Sequence, residues 1–441
     1  MSIELPSSTL NRTLASGLQL RQATLQDRQA VVEFVSHWLH EALGINVFDL
    51  MSGNHPTTQA SDFAIITDPA AGDQIVATAG LIGHTWSYEE LPFGVGTPEF
   101  VATHKDYRRR GLMSAVMEAL HQISKNNGQL VQAVNGIPNF YRQFDYEYAL
   151  DGDNQRAFRL GNGALVIPDT SAYLVRRAQV EDIPALLSIY VRQRKGRLIT
   201  NVMDEKRWRF DLTGHSAGSD IKMRHYSVLS GDGQIVGYFK LWGDEDDPHG
   251  NVIINEFGVI DEDRLVPIMQ AVVKALAETT LQAALPDALA RITLALGRAH
   301  RAYNVMQRQL VPIGRPTSWY LRVPDLVAFV THILPVLNRR LARSMYSSVS
   351  RAVVISLYKE ALTLKIEAGQ VVNAANMPMG DVDEDTISAW FPPLVFLKLL
   401  FGYRALDELL YAYPDVQVNE ADADLVNVLF PKQESWMIYL G

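Results

Sequence analysis

The chain has 441 residues, 47% of them hydrophobic and 20% charged, with 40 Lys and Arg against 49 Asp and Glu, a formal net charge of −9 and no cysteine. That length suits about three domains at roughly 150 residues each. The missing cysteines exclude disulfides, thiol nucleophiles, iron–sulfur clusters and thiolate zinc sites. The acidic balance argues against a general binder of nucleic acid or of anionic membranes.

Residues 1–12 lack a basic stretch followed by an apolar run, so no secretory signal is expected. The most apolar window, 391–401, is short and contains Pro392, Pro393 and Lys398, which does not suit a membrane span. The expectation is a cytoplasmic protein.

In chain order, the first third reads as mixed α/β. Residues 18–21 suit a strand. Residues 27–43 suit one helix, with Val31, Val32, Phe34, Val35 and Leu39 at helical spacing. Two strands follow at 63–67 and 75–88, joined by the turn signal Gly72-Asp73. Another strand covers 99–103 and ends in a basic loop. Residues 111–127 read as a helix with Leu112, Ala115, Val116, Ala119, Leu120 and Ile123 on one face, closed by Asn127-Gly128. A buried strand follows at 130–134.

The middle third repeats this pattern. Residues 20–27 resemble 175–182, Gln74-Ile75-Val76 recurs as Gln234-Ile235-Val236, Glu99-Phe100 as Glu256-Phe257, and 113–120 as 269–276. Four matches in register imply two copies of one domain. The last third differs. From Ser318 it reads as a strand, a helix over 326–341, two alternating strands around Val353 and Leu364, and helix over 391–411. The acidic run 381–385 reads as a solvated loop, because it lacks the glycine and distal glutamate of a calcium loop.

The segment most suggestive of chemistry is 100–146. Tyr107-Arg108-Arg109-Arg110-Gly111-Leu112-Met113 joins a strand end to a helix start. A helix N-terminus presents unpaired N–H groups and partial positive charge, which suits phosphate. Gly111 would let a diphosphate approach the backbone, and the arginines would neutralise it. The bland alternative is a solvated basic loop. After the next strand comes Gly136-Ile137-Pro138-Asn139-Phe140-Tyr141-Arg142-Gln143-Phe144-Asp145-Tyr146. Its aromatics suit sheet packing, with room for one hydroxyl to face a cleft.

Strand, Arg108-x-x-Gly111, helix, strand and the Phe140-Tyr141-Arg142-x-Phe144-x-Tyr146 turn resemble the GNAT N-acetyltransferase signature. The whole layout resembles the Eis (enhanced intracellular survival) family. The resemblance implies an α/β (α+β) fold: a catalytic GNAT domain over 1–165, a degenerate GNAT-like domain over 166–317, and a sterol-carrier-protein-like domain over 318–441. In the last, Phe391-Pro392-Pro393 and Leu400-Phe401-Gly402-Tyr403 resemble the family's C-terminal pattern.

The resemblance implies that acetyl-CoA, as cosubstrate, lies where two strands splay. The backbone of Phe100, Val101 and Thr103 would pair with its pantetheine arm. The N–H groups of Arg109, Arg110, Gly111, Leu112 and Met113 would hold its pyrophosphate, with Arg108 and Arg109 adding charge. Met113 stands where the family often has Gly or Ala, and Asp145 replaces a customary glycine. Tyr141 would be the general acid and the terminal carboxylate of Gly441 the base, with Glu99 as alternative base. No metal is implied. A homo-oligomer, trimer or hexamer, is implied as well.

In the second copy, Arg264-Leu265-Val266-Pro267 falls opposite Arg108 to Gly111, and proline has no N–H to offer a phosphate. The leading expectation is an acetyl-CoA-dependent N-acetyltransferase acting on primary amines of a small cationic, aminoglycoside- or polyamine-like substrate. Protein lysine is an alternative acceptor. A non-catalytic lipid-binding role for the last domain is the other alternative. His37 and His40, three apart on the expected helix, are a weak zinc candidate without a third ligand. His104 sits beside the basic loop. Trp38, Trp86 and Tyr88 suit either an amine pocket through cation–π contact or the core.

Overall fold

Residues 10–159, 172–243, 251–283 and 291–438 are described by a computed structural model. The first unit contains strands β1 (Arg12–Thr13), β2 (Gln19–Gln22), β3 (Phe63–Asp68), β4 (Gln74–Tyr88), β5 (Leu91–Thr103), β6 (Val131–Val134) and β7 (Glu147–Asp151), with helices α1 (Arg28–Trp38), α2 (Glu41–Leu50) and α3 (Leu112–Asn126). The strands form one mixed sheet in the order β1 to β6, then Ser318–Arg322, then β7, with Ile199–Asn201 also paired to β4. Helix α3 covers one face, burying Leu112, Val116, Ala119, Leu120 and Ile123 against Ala77, Ala79 and Leu81. Helices α1 and α2 cover the other, with Val31, Phe34, Val35 and Val47 against Phe63, Ile65 and Ile82.

A second sheet runs Val311–Pro312, Arg156–Arg159, Arg291–Leu294, Asn251–Val259, Ile235–Trp242, Arg224–Ser230 and Tyr173–Arg177. A third runs Gln370–Pro378, Glu360–Glu367, Arg351–Ser356, Ala389–Trp390 and Gln417–Val418. The class is therefore α/β with several mixed sheets. No described helix is long and apolar enough to cross a membrane.

The repeat reaches down to individual bonds. Arg21 clasps Asp27 at 2.8 and 2.7 Å, and Arg176 clasps Asp182 at 2.6 and 2.9 Å. In both places the Asp also accepts the backbone N–H three residues earlier, at Thr24 and at Gln179, closing the turn before the next helix.

Strands nevertheless cross between units. Ser318–Arg322, expected to open the last third, inserts between β6 and β7 and pairs with both. Arg156–Arg159 leaves the first unit to pair in the second sheet. Strand pairing is chosen by long-range packing, which local periodicity does not encode.

Three expected helices are interrupted. The one over 27–43 breaks at His40, whose Nδ1 accepts the N–H of Ala42 at 3.2 Å and caps α2. His37 and His40 therefore lie on different helices, and the zinc suggestion loses its geometry. The helix over 326–341 divides into Leu326–His332 and Leu334–Ala342, because Pro335 has no N–H to continue the ladder. That over 391–411 divides into Pro393–Leu400 and Leu406–Ala412, with Gly402 between them at φ +62°.

Buried histidines make the fold acid-sensitive. His55, His225 and His300 are buried. Burial, chiefly, lowers them from 6.5 to about 2, about 3 and about 4 respectively. The unfolded chain protonates them near 6.5 while the folded chain keeps them neutral. Below that pH the unfolded state binds more protons, so stability falls as pH falls, by up to about 1.4 kcal/mol per pH unit for each group. Melting temperature is expected to drop steadily from pH 7 to 4.5; a flat profile would contradict this.

Candidate active site

The cleft arises because two parallel neighbours part company. Strands β5 and β6 pair only at Val95–Val131 and Gly96–Gln132. On its other edge β6 pairs through Gln132, Ala133 and Val134 with Arg322, Leu321 and Tyr320, while beyond Gly96 β5 has no pairing to β6 through 97–103. A bulge bends β5 at this point: Thr78 faces Ala102, but Gly80 faces Glu99. Phe100 takes φ +55° there, and its buried ring stacks on Phe63 at 6.1 Å. Phe100, Val101 and Thr103 thus lie on the edge that β6 leaves open.

At the cleft mouth, His104 donates its N–H to Val76 O at 2.9 Å and accepts that of Asp106 through Nδ1 at 3.2 Å. The chain then passes through left-handed Arg109 (φ +62°) and Gly111 (φ +76°) into α3. Among the described residues the N–H groups of 109–114 have no hydrogen-bond partner; the first in the helix to be paired is Ala115, to Gly111 O at 3.1 Å. Six consecutive donors at the positive end of a 15-residue helix form an anion cradle.

Arg108, Arg109 and Arg110 are all exposed around the cradle. Arg110 donates to Asp106 O at 2.9 Å and lies over the Tyr107 ring at 4.8 Å. A Cβ added at Gly111 would meet no protein atom within 4 Å, and the glycine also supplies the left-handed backbone at φ +76°.

Tyr141 lies in the 3-10 turn Phe140–Phe144, bounded by left-handed Asn139 and Asp145, both at φ +65°. Asp145 therefore adopts the conformation a glycine would. Asp145→Gly should raise stability by about 0.5–1 kcal/mol, measured by denaturant unfolding; a loss would show that the Asp side chain matters to the turn. Gly136 makes room for the Tyr141 ring, since a Cβ there would stand 2.2 Å from Cε2. Tyr141 is buried. Burial, and then the negative charge of Glu99, push its phenol up to about 12. The two side chains named for proton transfer thus feel one another's charge. Among the described residues the Tyr141 hydroxyl has no hydrogen-bond partner. Gly441 lies outside the described residues.

The second unit shows what the first leaves open. Glu256, the counterpart of Glu99, is fully buried, with Lys240 Nζ at 2.9 Å and the Tyr238 hydroxyl at 2.5 Å. Lys240 faces Glu256 across the strand pair where Gly80 faces Glu99. The carbonyl of Phe257 accepts from Gln193 at 3.0 Å and lies 3.2 Å from His300 Nε2. The cavity beside them, lined by His300, Leu265 and Trp436, holds only about 30 Å³.

The expected alignment of Pro267 with Gly111 is corrected. The turn Glu262–Arg264 runs directly into the helix Leu265–Ala283, so the left-handed segment at 109–111 has no counterpart. Pro267 sits within the first helical turn.

Other candidates resolve simply. Trp86 is buried against Phe93 and Trp319, and the Tyr88 hydroxyl donates to Leu400 O at 2.7 Å; both are core. Trp38 is half-buried, 4.5 Å from the His104 ring. Among the described residues no three potential ligands gather for a metal. Sequence reasoning missed the parts played by Tyr320 and Lys398, whose partners are distant in the chain.

Residues 19–149 match the family model of the acetyltransferase (GNAT) domain. The chain is an acyltransferase carrying a GNAT domain. A probable N-acyltransferase structure from Enterococcus faecalis V583 is similar in fold over 96% of this chain and 100% of its own, with TM-score 0.68 and 13% identity. The GCN5-related N-acetyltransferase of Kribbella flavida covers 96% and 100%, with TM-score 0.64 and 15% identity. Eis1 of Mycobacterium abscessus covers 95% and 98%, with TM-score 0.57 and 14% identity. At such identities these likenesses speak for the fold. No curated protein matches the sequence.

Proposed function

We propose that the chain is an acetyl-CoA-dependent N-acetyltransferase of Eis-like architecture: a catalytic GNAT domain over 1–165, a degenerate copy over 166–317, and a sterol-carrier-protein-like domain over 318–441. The observation that carries the reading is the run of unpartnered N–H groups at 109–114 beside a cleft that Tyr141 and Glu99 share. Those donors fit a diphosphate, and the open edge of β5 fits an extended amide-bearing arm, so Phe100, Val101 and Thr103 would hold pantetheine while 109–113 hold the pyrophosphate. The engagement of Glu256 by Lys240 and Tyr238 supports a non-catalytic role for the second unit.

Bound acetyl-CoA supplies a thioester carbonyl; the amine nitrogen bonds to it as the carbon–sulfur bond breaks. Glu99, or the Gly441 carboxylate, takes the proton that the attacking amine must lose. Tyr141, protonated at neutral pH because its phenol is held at about 12, gives its proton to the departing sulfur. The phenol is then restored by the proton removed from the amine, so the site ends as it began.

The acceptor we infer is a primary amine of a small cationic compound, aminoglycoside- or polyamine-like, consistent with the net charge of −9. The homo-oligomer rests on the family resemblance alone. Calorimetry with acetyl-CoA, followed by an acetylation screen across amine classes with mass readout, tests the proposal. Saturable binding and one acetyl per modified amine are expected; no saturable binding removes it.

A further inference from the structure

The turn that carries Tyr141 is held in place by residues far downstream. Asn139, which opens it, sits at φ +65°, a left-handed conformation that asparagine adopts more readily than most residues, and its Oδ1 accepts from Arg142 at 3.3 Å. Its N–H donates to the Tyr320 hydroxyl at 2.6 Å. Tyr320 is fully buried, and its ring stacks on Tyr148 at 3.7 Å and contacts Tyr141 at 5.9 Å. It comes from the strand Ser318–Arg322 that inserts between β6 and β7.

The other end of the turn is clamped as well. Arg142 donates to Glu147 at 3.1 and 2.9 Å. Glu147 also accepts from Lys398 Nζ at 3.0 Å, and the same ammonium reaches Tyr148 O at 2.7 Å. Lys398 is 5% exposed and stands on the helix Pro393–Leu400 of the third unit. A buried cation with two such partners is committed to this contact. The residue next to Tyr141 is therefore tied, through one carboxylate, to the third unit.

We propose that Tyr320 and Lys398 are positioning residues for the transfer step: from outside the first unit they fix the 139–145 turn so that Tyr141 faces Glu99. The inference rests on Tyr141 acting as the acid. It gives the inserted strand and the third unit a direct part in catalysis.

Tyr320→Phe is the decisive variant, because it removes one hydroxyl and keeps the ring. With acetyl-CoA and an accepted amine, kcat is expected to fall about tenfold, the effect of about 1.4 kcal/mol and within the range of one hydrogen bond. The KM for acetyl-CoA should not change. Lys398→Met should also lower kcat. Independently of turnover, amide exchange followed by mass spectrometry should be faster over 136–146 in Tyr320→Phe. A kcat within twofold of the parent, or unchanged exchange over 136–146, overturns the proposal. Tyr141→Phe run alongside separates the two readings: if it turns over normally, the acid assignment itself fails, whereas a dead Tyr141→Phe with a normal Tyr320→Phe rejects only the positioning role.

Discussion

Tyr141→Phe should lower kcat by roughly a hundredfold to ten-thousandfold, the usual worth of a general acid, while acetyl-CoA binding stays near its original strength. The phenol lies in a largely apolar seat made by Gly136, Tyr146 and Tyr320. Phenylalanine fills the same seat, so the fold should tolerate the change. What is lost is a proton donor that burial and Glu99 keep protonated up to about pH 12. The parent enzyme should therefore show no alkaline decline from this group between pH 7 and 10. Steady-state rates of thiol release from acetyl-CoA, measured across that range for both proteins, check both statements. Equal turnover would move the acid elsewhere in the cleft.

Gly111→Pro should weaken acetyl-CoA binding by about a hundredfold or more, since it deletes one N–H of the cradle and replaces φ +76° with a value near −65°. Turning the backbone there also misdirects the donors on either side, and each hydrogen bond to a charged group is worth about 1.5–3 kcal/mol. Stability should change much less, because the residue is exposed and nothing packs within 4 Å of it. Gly111→Ala, which keeps the N–H and pays only for the left-handed conformation, should cost about tenfold. Calorimetric titration reads all three proteins. Undiminished affinity in Gly111→Pro would show that the 109–114 amides do not hold the diphosphate.

Much of the first unit was legible because its signals are local. The 3.6-residue period over 112–126, the Asn127-Gly128 stop and the turn at Gly72-Asp73 each depend on neighbours a few residues away. The bulge at Phe100 was not legible. Phe100 stacks there on Phe63 across the sheet, and β5 pairs with β6 no further than Gly96, contacts that lie outside its local sequence. At Gly111 the left-handed dihedral, φ +76°, was not legible either, because local spacing does not encode it.

The sequence by itself determined much of the alternation of strands and helices, the likeness of 20–27 to 175–182, and the chemical identity of a basic, glycine-bearing helix start followed by a tyrosine turn. These are matters of residue type and short spacing. Only the tertiary structure decided that the charge of Glu99 acts on the Tyr141 phenol, that Lys240 faces Glu256 where Gly80 faces Glu99, and that Tyr320 and Lys398 reach back to the tyrosine turn. The contacts of Tyr320 and Lys398 join residues more than a hundred positions apart, and those of Glu99 and Lys240 depend on strand register; no local pattern carries that information.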